Sequence, residues 1–179
     1  MASHIRKTYP NTPLRLALTI PGVLHVEKSP TQINAANALY SFQVNTLGPL
    51  LLAKHMMPFL PTKSSRPFEP TEDPEAGDDD FGGGGGLKLP SHAIYAMMAA
   101  RVGSISDNAS GGWYSYRASK AGVFQVAKTL DLHLRTRCRE RALAVALHPG
   151  TVRTDFTKDF WGGREMLEAG ESAEKLLGC

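Results

Sequence analysis

Tyr116 and Lys120 are the residues whose types and spacing could do chemistry, since they stand four positions apart in the run Gly-Trp-Tyr-Ser-Tyr-Arg-Ala-Ser-Lys. On a helix this spacing places both side chains on one face, one turn apart. A tyrosine phenol, with a pKa of about 10, is a poor proton carrier at neutral pH, but a nearby ammonium stabilises the phenolate and lowers that pKa. The pair is therefore a candidate general acid/base with its electrostatic helper, as reduction of a carbonyl requires.

The residues around the pair favour this interpretation over a chance surface pairing. Ala118 and Ser119 between the two are small, and Ala121 and Gly122 follow directly. A loop rich in serine and glycine precedes them. Small side chains on this face would allow a flat ligand to approach the helix.

The elements that must position the pair alternate between short apolar runs and longer helical patterns. Apolar runs ended by Pro21-Gly22, Gly103 and His148-Pro149 predict three strands, and periodic stretches predict helices between them. The predicted strands lie within residues 14–20, 92–102 and 143–147, and the predicted helices within residues 31–57, 114–139 and 171–177. Gly48-Pro49 should bend the first helix. Strand–helix alternation predicts an α/β fold with a parallel sheet.

Residues 61–90 interrupt this pattern. They hold seven acidic and three basic residues, several prolines and five consecutive glycines. Because such a composition buries little apolar surface, we expect a disordered insertion in a single domain spanning residues 1–179. The glycine run lacks a preceding strand and a following helix start, so a phosphate-binding loop is not expected there.

Composition excludes several classes of protein. The net charge of +3 gives no argument for nucleic acid or membrane partners, and no apolar run is long enough to span a membrane. The two cysteines, Cys138 and Cys179, predict free thiols rather than a disulfide framework, and no metal site is expected. The N-terminus lacks the apolar region of a signal peptide, which predicts a cytoplasmic protein.

Five segments, in order and at matching spacing, resemble the short-chain dehydrogenase/reductase family. Residues 116–121 (Tyr-Arg-Ala-Ser-Lys-Ala) are similar to its Tyr-x-x-x-Lys motif, and residues 101–108 and 111–114 are similar to its C-factor-type branch. Asn45 resembles the family's helical asparagine, and residues 148–154 resemble the Pro-Gly segment after its sixth strand. The resemblance covers roughly residues 14–177.

The resemblance implies a partial Rossmann-type sheet of about three parallel strands with flanking helices, and an oxidoreductase that uses NADP or NAD on a small carbonyl or alcohol substrate. It implies that Tyr116 is the acid/base, that Lys120 is its helper and ribose anchor, and that Asn45 holds a relay water. Ser104 is the candidate for the family's catalytic serine. The residues implied to contact the cofactor are Tyr116, Lys120, Pro149, Gly150, Thr151 and Thr154.

Three departures from the family pattern affect these expectations. The usual serine position, just before Arg101, holds Ala99-Ala100, so that Ser104 or Ser106 would have to replace its hydroxyl. The family's Asn-Asn-Ala-Gly-like segment reads Thr-Ile-Pro-Gly at residues 19–22. The chain also begins at what resembles the family's fourth strand, without its pyrophosphate-binding turn, and stops within what resembles a late helix. We therefore expect a truncated doubly wound fold.

Three functions remain open from the sequence. The first is an NAD(P)-dependent oxidoreductase acting on a carbonyl/alcohol pair. The second is a catalytically inactive interaction protein that pairs, as a homo- or hetero-oligomer, through the helices predicted in residues 31–57 and 113–139. The third is a misassembled gene model or pseudogene product with no function of its own.

Overall fold

The three predicted apolar runs form a parallel sheet at the centre of the computed structural model, which describes residues 2–69, 89–160 and 165–178. Strands β1 (Leu16–Thr19), β2 (Ala93–Met98) and β3 (Ala142–Leu147) pair in the order β1-β2-β3. In the register Leu18 stands opposite Ala96, and Ala96 opposite Val145. Because all strands run in the same direction, their carboxyl ends lie at one edge of the sheet. The expected α/β fold with a partial Rossmann-type sheet is confirmed.

Five α-helices flank the sheet in the described part of the chain. They are α1 (Ala2–Thr8), α2 (Ala35–Phe42), α3 (Gly48–Met56), α4 (Tyr114–Cys138) and α5 (Ala169–Leu177). Short 3₁₀ turns occupy Pro30–Gln32, Met57–Phe59, Arg101–Gly103, Arg139–Arg141 and Asp155–Phe160. None of the helices within the described ranges is long and apolar enough to cross a membrane.

The predicted bend at Gly48-Pro49 takes the form of a π-helical turn, Gln43–Leu47, between α2 and α3. The Gly48 N–H donates to the Gln43 carbonyl, five residues back. Pro49 has no N–H, so the regular α-helical bond to the Asn45 carbonyl cannot form. The turn therefore places Asn45, which is fully buried, at an irregular point of the backbone.

The core lies between the sheet and α4. Strand β2, the central strand, is the most buried, with Tyr95 and Met97 at most 1% exposed. Helix α4 contributes Val123 and Leu134, both 0% exposed. Its Asp131 carboxylate also accepts a 3.3 Å hydrogen bond from the Ala144 N–H, which ties the helix to β3.

The ends of the insertion predicted in residues 61–90 are attached to the domain. Phe68 packs against the core, and the Arg15 guanidinium lies 5.2 Å from its ring centroid. The same guanidinium donates to the carbonyl oxygens of Leu89 at 2.7 Å and Pro90 at 2.9 Å. These contacts were not expected from the composition. The expected disorder otherwise falls on residues 70–88, which lie outside the described residues, as does Cys179.

Candidate active site

Helix α4 begins directly after three consecutive residues with positive φ angles. Gly111, Gly112 and Trp113 have φ angles of 64°, 65° and 53°, all in the left-handed region that favours glycine. Trp113 occupies the N-cap position but supplies no side-chain cap. The cap comes instead from Glu27 in the loop after β1, whose carboxylate accepts hydrogen bonds from the N–H and hydroxyl of Ser115 at 2.7 and 2.6 Å. Nothing in the amino-acid sequence near Glu27 singles it out as a cap for α4.

Tyr116 and Lys120 lie together in the first two turns of α4, as their spacing predicted. Their residues are only 7% and 2% exposed. The Lys120 Nζ lies 5.9 Å from the centroid of the Tyr116 ring and donates a 2.8 Å hydrogen bond to the carbonyl oxygen of Met98. Because Met98 is the last residue of β2, the pair lies at the carboxyl edge of the sheet, where ligands bind in open α/β folds.

Burial determines the pKa values of both side chains. It raises the pKa of Tyr116 to about 12 and lowers the pKa of Lys120 to about 8, because each charged form loses hydration. The expected net lowering of the Tyr116 pKa is therefore wrong for this structure: desolvation raises that pKa, and the Lys120 ammonium is directed to the Met98 carbonyl. At neutral pH Tyr116 carries its proton and Lys120 remains largely a cation.

Asn45 joins the pair through a network of buried hydrogen bonds. Its Nδ2 donates to the Val23 carbonyl and to the Ser119 Oγ, both at 2.9 Å, and its Oδ1 accepts from the Val23 N–H at 2.8 Å. Ser119 in turn donates to the Tyr116 carbonyl at 2.9 Å. The side chain of Asn45 therefore links the loop after β1 to the turn of α4 that carries the candidate pair.

Gly22 and Phe156 complete the surroundings of the pair. A Cβ placed on Gly22 would lie 3.6 Å from Lys120 Nζ and 4.0 Å from the Phe156 ring, in ordinary contact. The rings of Trp113 and Phe156 each lie 6.3 Å from the Tyr116 ring, centroid to centroid. Tyr116 therefore lies near two aromatic side chains from different loops.

The predicted cofactor segment follows β3 at the same edge of the sheet. Gly150 has a φ of 82°, and a Cβ there would lie 2.8 Å from the Leu167 side chain, so glycine is required. The Ser172 hydroxyl donates to the Pro149 carbonyl at 2.7 Å, and the Thr151 carbonyl accepts from the Leu167 N–H at 2.9 Å. The segment continues past Thr154 to Phe156, whose ring lies near the ring of Tyr116.

Ser104 is not brought to the pair. Its Oγ lies 3.1 Å from the Ser106 Oγ, and it lines a cleft with Arg117 and Ala118 that neither Tyr116 nor Lys120 lines. The reason is helical geometry, since Arg117 and Ala118 project from α4 on faces other than the one shared by the candidate pair.

Ala99 and Ala100, where the resemblance predicts a serine, follow β2 directly and are 2% and 8% exposed. Neither supplies a hydroxyl. Among the described residues, no cluster of three or more histidine, cysteine or acidic side chains could hold a metal ion.

The residues at this edge fit a ribose hydroxyl of a dinucleotide. An ammonium carries three N–H donors, and the structure records one acceptor for Lys120, the Met98 carbonyl, among the described residues. Gly22 leaves the backbone accessible in front of that ammonium. A ribose hydroxyl could therefore accept from Lys120 without displacing a protein partner. This fit concerns the ribose alone.

Two curated proteins are similar to this chain, and no family model matches it. The 1-hydroxy-2-glutathionyl-2-methyl-3-butene dehydrogenase of Rhodococcus sp. (strain AD45) is 39% identical over 89 residues, which are 50% of this chain and 38% of that protein. The C-signal protein of Myxococcus xanthus is 28% identical over 146 residues, 81% of this chain and 67% of that protein. The chain thus matches little more than a third of the first relative and two thirds of the second.

Solved structures of two carbonyl reductases are similar in fold. The carbonyl reductase Sniffer of D. melanogaster superposes with a TM-score of 0.75 at 24% identity, covering 99% of this chain and 62% of that one. An NADPH-bound carbonyl reductase from chicken fatty liver gives 0.73 at 22%, with the same coverage.

Four observations support the same resemblance. They are the order of the motifs in the sequence, the buried tyrosine–lysine pair at the carboxyl edge of the sheet, the curated relatives and the shared fold. The predicted resemblance to the short-chain dehydrogenase/reductase family is confirmed by these curated relatives and by the shared fold, and the chain spans only part of the length of the proteins it matches.

Proposed function

We propose that this chain carries the catalytic residues of an NAD(P)-dependent oxidoreductase that acts on a carbonyl/alcohol pair. The observation that supports this most directly is the buried pair on α4, with Tyr116 protonated at neutral pH and Lys120 held by the Met98 carbonyl. A neutral phenol is the form that donates a proton to a carbonyl oxygen.

In this proposal the nicotinamide, when bound, supplies the hydride for reduction or accepts it in the reverse direction. Tyr116 donates its proton to the substrate oxygen, and Lys120 offers its remaining N–H donors to the ribose and its positive charge to the phenolate that Tyr116 becomes. That charge reduces the cost of the phenolate in a desolvated site, where an unpaired anion is expensive. Asn45 keeps the loop at Val23 and the turn at Ser119 together, and it is the proposed holder of the water that returns a proton to Tyr116.

The cofactor is NADP or NAD, and the substrate is a small carbonyl or alcohol. Support comes from the NADPH bound to the structurally similar carbonyl reductase and from the dehydrogenase activity named for the first curated relative. Pro149, Gly150, Thr151 and Thr154 are the proposed cofactor contacts after β3. A cytoplasmic location stays a prediction.

Binding and turnover test the proposal together. We expect purified chain to bind NADPH or NADH saturably by calorimetry, and Tyr116→Phe to retain binding while losing turnover by about 10²-fold or more. Tyr114→Phe is the matched control, since Tyr114 lies on the same turn of α4 and is 39% exposed. Absence of saturable binding of either cofactor would overturn the proposal for this chain, as would full turnover by Tyr116→Phe.

We also propose, from a separate observation, that two copies of this chain pair through the region of α3 and α4. An open, mainly apolar groove of about 560 Å³ lies between α3 and α4, lined by residues that include Leu50, Ala53, Val126 and Leu130. Leu50 is 46% exposed beside it. We expect a dimer of this chain in sedimentation analysis and a monomer for Leu50→Glu. Ile105→Glu, at a site 90% exposed on another loop, is the control and should leave the dimer intact.

A further inference from the structure

Glu27 is a buried carboxylate that the candidate reaction does not use. It lies in the loop between β1 and α2 and is 2% exposed. No lysine, arginine or histidine of the described residues forms an ion pair with it. Burying a charged group without compensation is expensive, so a carboxylate retained at such a position must be satisfied by other groups.

Among the residues that the structure describes, the compensation comes from the start of α4. Both carboxylate oxygens of Glu27 accept from Ser115, one from its N–H at 2.7 Å and one from its hydroxyl at 2.6 Å. The Glu27 carbonyl also accepts the Trp113 N–H at 2.6 Å. The N-terminus of a 25-residue helix adds a favourable dipole for the negative charge.

These contacts replace a cap that the helix itself lacks. A tryptophan at the N-cap has no side-chain oxygen to accept from the first turn, and Trp113 is held at a φ of 53°. The next residue back, Gly112, passes so close that a Cβ there would lie 3.4 Å from the Glu27 carbonyl. The first turn of α4 is therefore fixed from outside the helix by a residue 88 positions away in sequence.

Tyr116 directly follows Ser115, whereas Lys120 has anchors of its own. The Lys120 ammonium binds the Met98 carbonyl, and the Thr46 hydroxyl binds the carbonyl of neighbouring Ser119 at 2.7 Å. Loss of the Glu27 contacts would therefore loosen the first turn of α4, which carries Tyr116, more than the turn that carries Lys120.

We propose that Glu27 is a positioning residue for Tyr116, holding the first turn of α4 through Ser115 so that the phenol stays buried beside Lys120. The proposal rests on the proposed function for the role of Tyr116, but it makes a separate claim about where that side chain is held.

Selective nitration by tetranitromethane at pH 8, mapped by mass spectrometry, tests this claim without a cofactor. In Glu27→Ala we expect Tyr116 to be nitrated about tenfold faster than in the unsubstituted chain, with faster amide exchange at Ser115. Tyr95, which is 1% exposed in β2, should stay protected, and exposed Tyr114 should react as before. Glu140→Ala, at the other end of α4, is the matched control and should leave Tyr116 protected.

Ser115→Ala is the milder variant if Glu27→Ala fails to fold, because it removes the hydroxyl contact and keeps the N–H bond. For this variant we expect a smaller increase in the nitration rate, confined to Tyr116. Where turnover is measurable, Glu27→Ala should lower kcat about tenfold with the cofactor KM unchanged. Unchanged nitration of Tyr116, or equal deprotection of Tyr95 and Tyr116, would overturn the proposal, the second because it indicates a role in overall stability. Unsubstituted chain that binds neither NADPH nor NADH would overturn the proposed function alone, since the nitration pattern does not depend on cofactor binding.

Discussion

The Lys120 ammonium is held 2.8 Å from the main-chain oxygen of Met98, at the end of the central strand. A main-chain carbonyl holds the ammonium in place without neutralising its charge. A carboxylate partner would neutralise that charge. The charge of Lys120 therefore stays available at the edge of the sheet, and burial lowers its pKa to about 8. This arrangement gives the protein a measurable dependence on pH.

Lys120→Met should remove a rise in stability above pH 8. The pKa of Lys120 is about 8 in the folded chain and near its ordinary value of 10.5 in the unfolded chain. Between these values the unfolded chain binds more protons, so the free energy of unfolding rises with pH, by at most about 1.4 kcal/mol per pH unit. The raised pKa of Tyr116 acts in the opposite direction above pH 10, which limits the useful window to pH 8–10.

Urea unfolding at intervals between pH 7.5 and 10 measures this rise. Lys128→Met is the matched control, because Lys128 lies on the same helix with its side chain exposed, and the rise should persist in that variant. Equal slopes in the unsubstituted chain and in Lys120→Met would show that burial does not lower the pKa of Lys120.

Gly103→Ala should destabilise the fold and disturb Lys120 directly. A Cβ at Gly103 would lie 2.7 Å from the Lys120 carbonyl carbon and 2.8 Å from the Ala121 nitrogen, so backbone would have to move. We expect a loss of about 1–3 kcal/mol in thermal or chemical unfolding. Gly170→Ala in α5, where nothing lies within 4 Å, should instead be neutral or stabilise by about 0.5–1 kcal/mol. A stable Gly103→Ala would contradict the close packing of its 3₁₀ turn against α4.

The strands, the long helix and the candidate pair could be predicted from sequence because their signals are local. Apolar runs ended by Pro21-Gly22, Gly103 and Pro149 mark β1, β2 and β3, and the four-residue spacing of Tyr116 and Lys120 marks one helix face. These features depend on neighbours within a few positions. The parallel direction of the strands could be predicted, but their order and register could not. Order and register depend on contacts between residues distant in sequence.

Features that depend on distant contacts could not be predicted. The cap on α4 comes from Glu27, 88 positions before Ser115, and nothing near Glu27 in sequence indicates it. The predicted direction of the Tyr116 pKa shift was wrong because a sequence shows the spacing of two residues but not their exposure to solvent. Ser104 looked near the pair in sequence, but the 3₁₀ turn Arg101–Gly103 directs it into another cleft.

Asn45→Ala should cost about 2–4 kcal/mol of unfolding free energy. The substitution leaves the Val23 N–H and carbonyl without their partner and removes a donor to the Ser119 hydroxyl, at a site that is fully buried. Asn34→Ala, which removes only an exposed capping bond to the Asn37 N–H, should cost about 1 kcal/mol. Chemical denaturation compares the two, and equal losses would contradict the buried network around Asn45.

Ala100→Ser should raise turnover, where turnover is measurable, because it restores a hydroxyl at the position of the family's serine. A hydrogen-bond donor to the substrate oxygen contributes a few kcal/mol in transition states of this kind, so we expect kcat to rise about tenfold or more. Ala99→Ser is the control, since Ala99 belongs to the buried core and neighbouring residues in extended backbone point to opposite sides.

Ser104→Ala should leave kcat unchanged, because its hydroxyl pairs with Ser106 in a cleft that the candidate pair does not line. Steady-state kinetics at saturating cofactor separates these outcomes. If Ser104→Ala abolished turnover and Ala100→Ser had no effect, Ser104 would be the working hydroxyl, and the loop at residues 104–112 would have to rearrange to bring it to Tyr116.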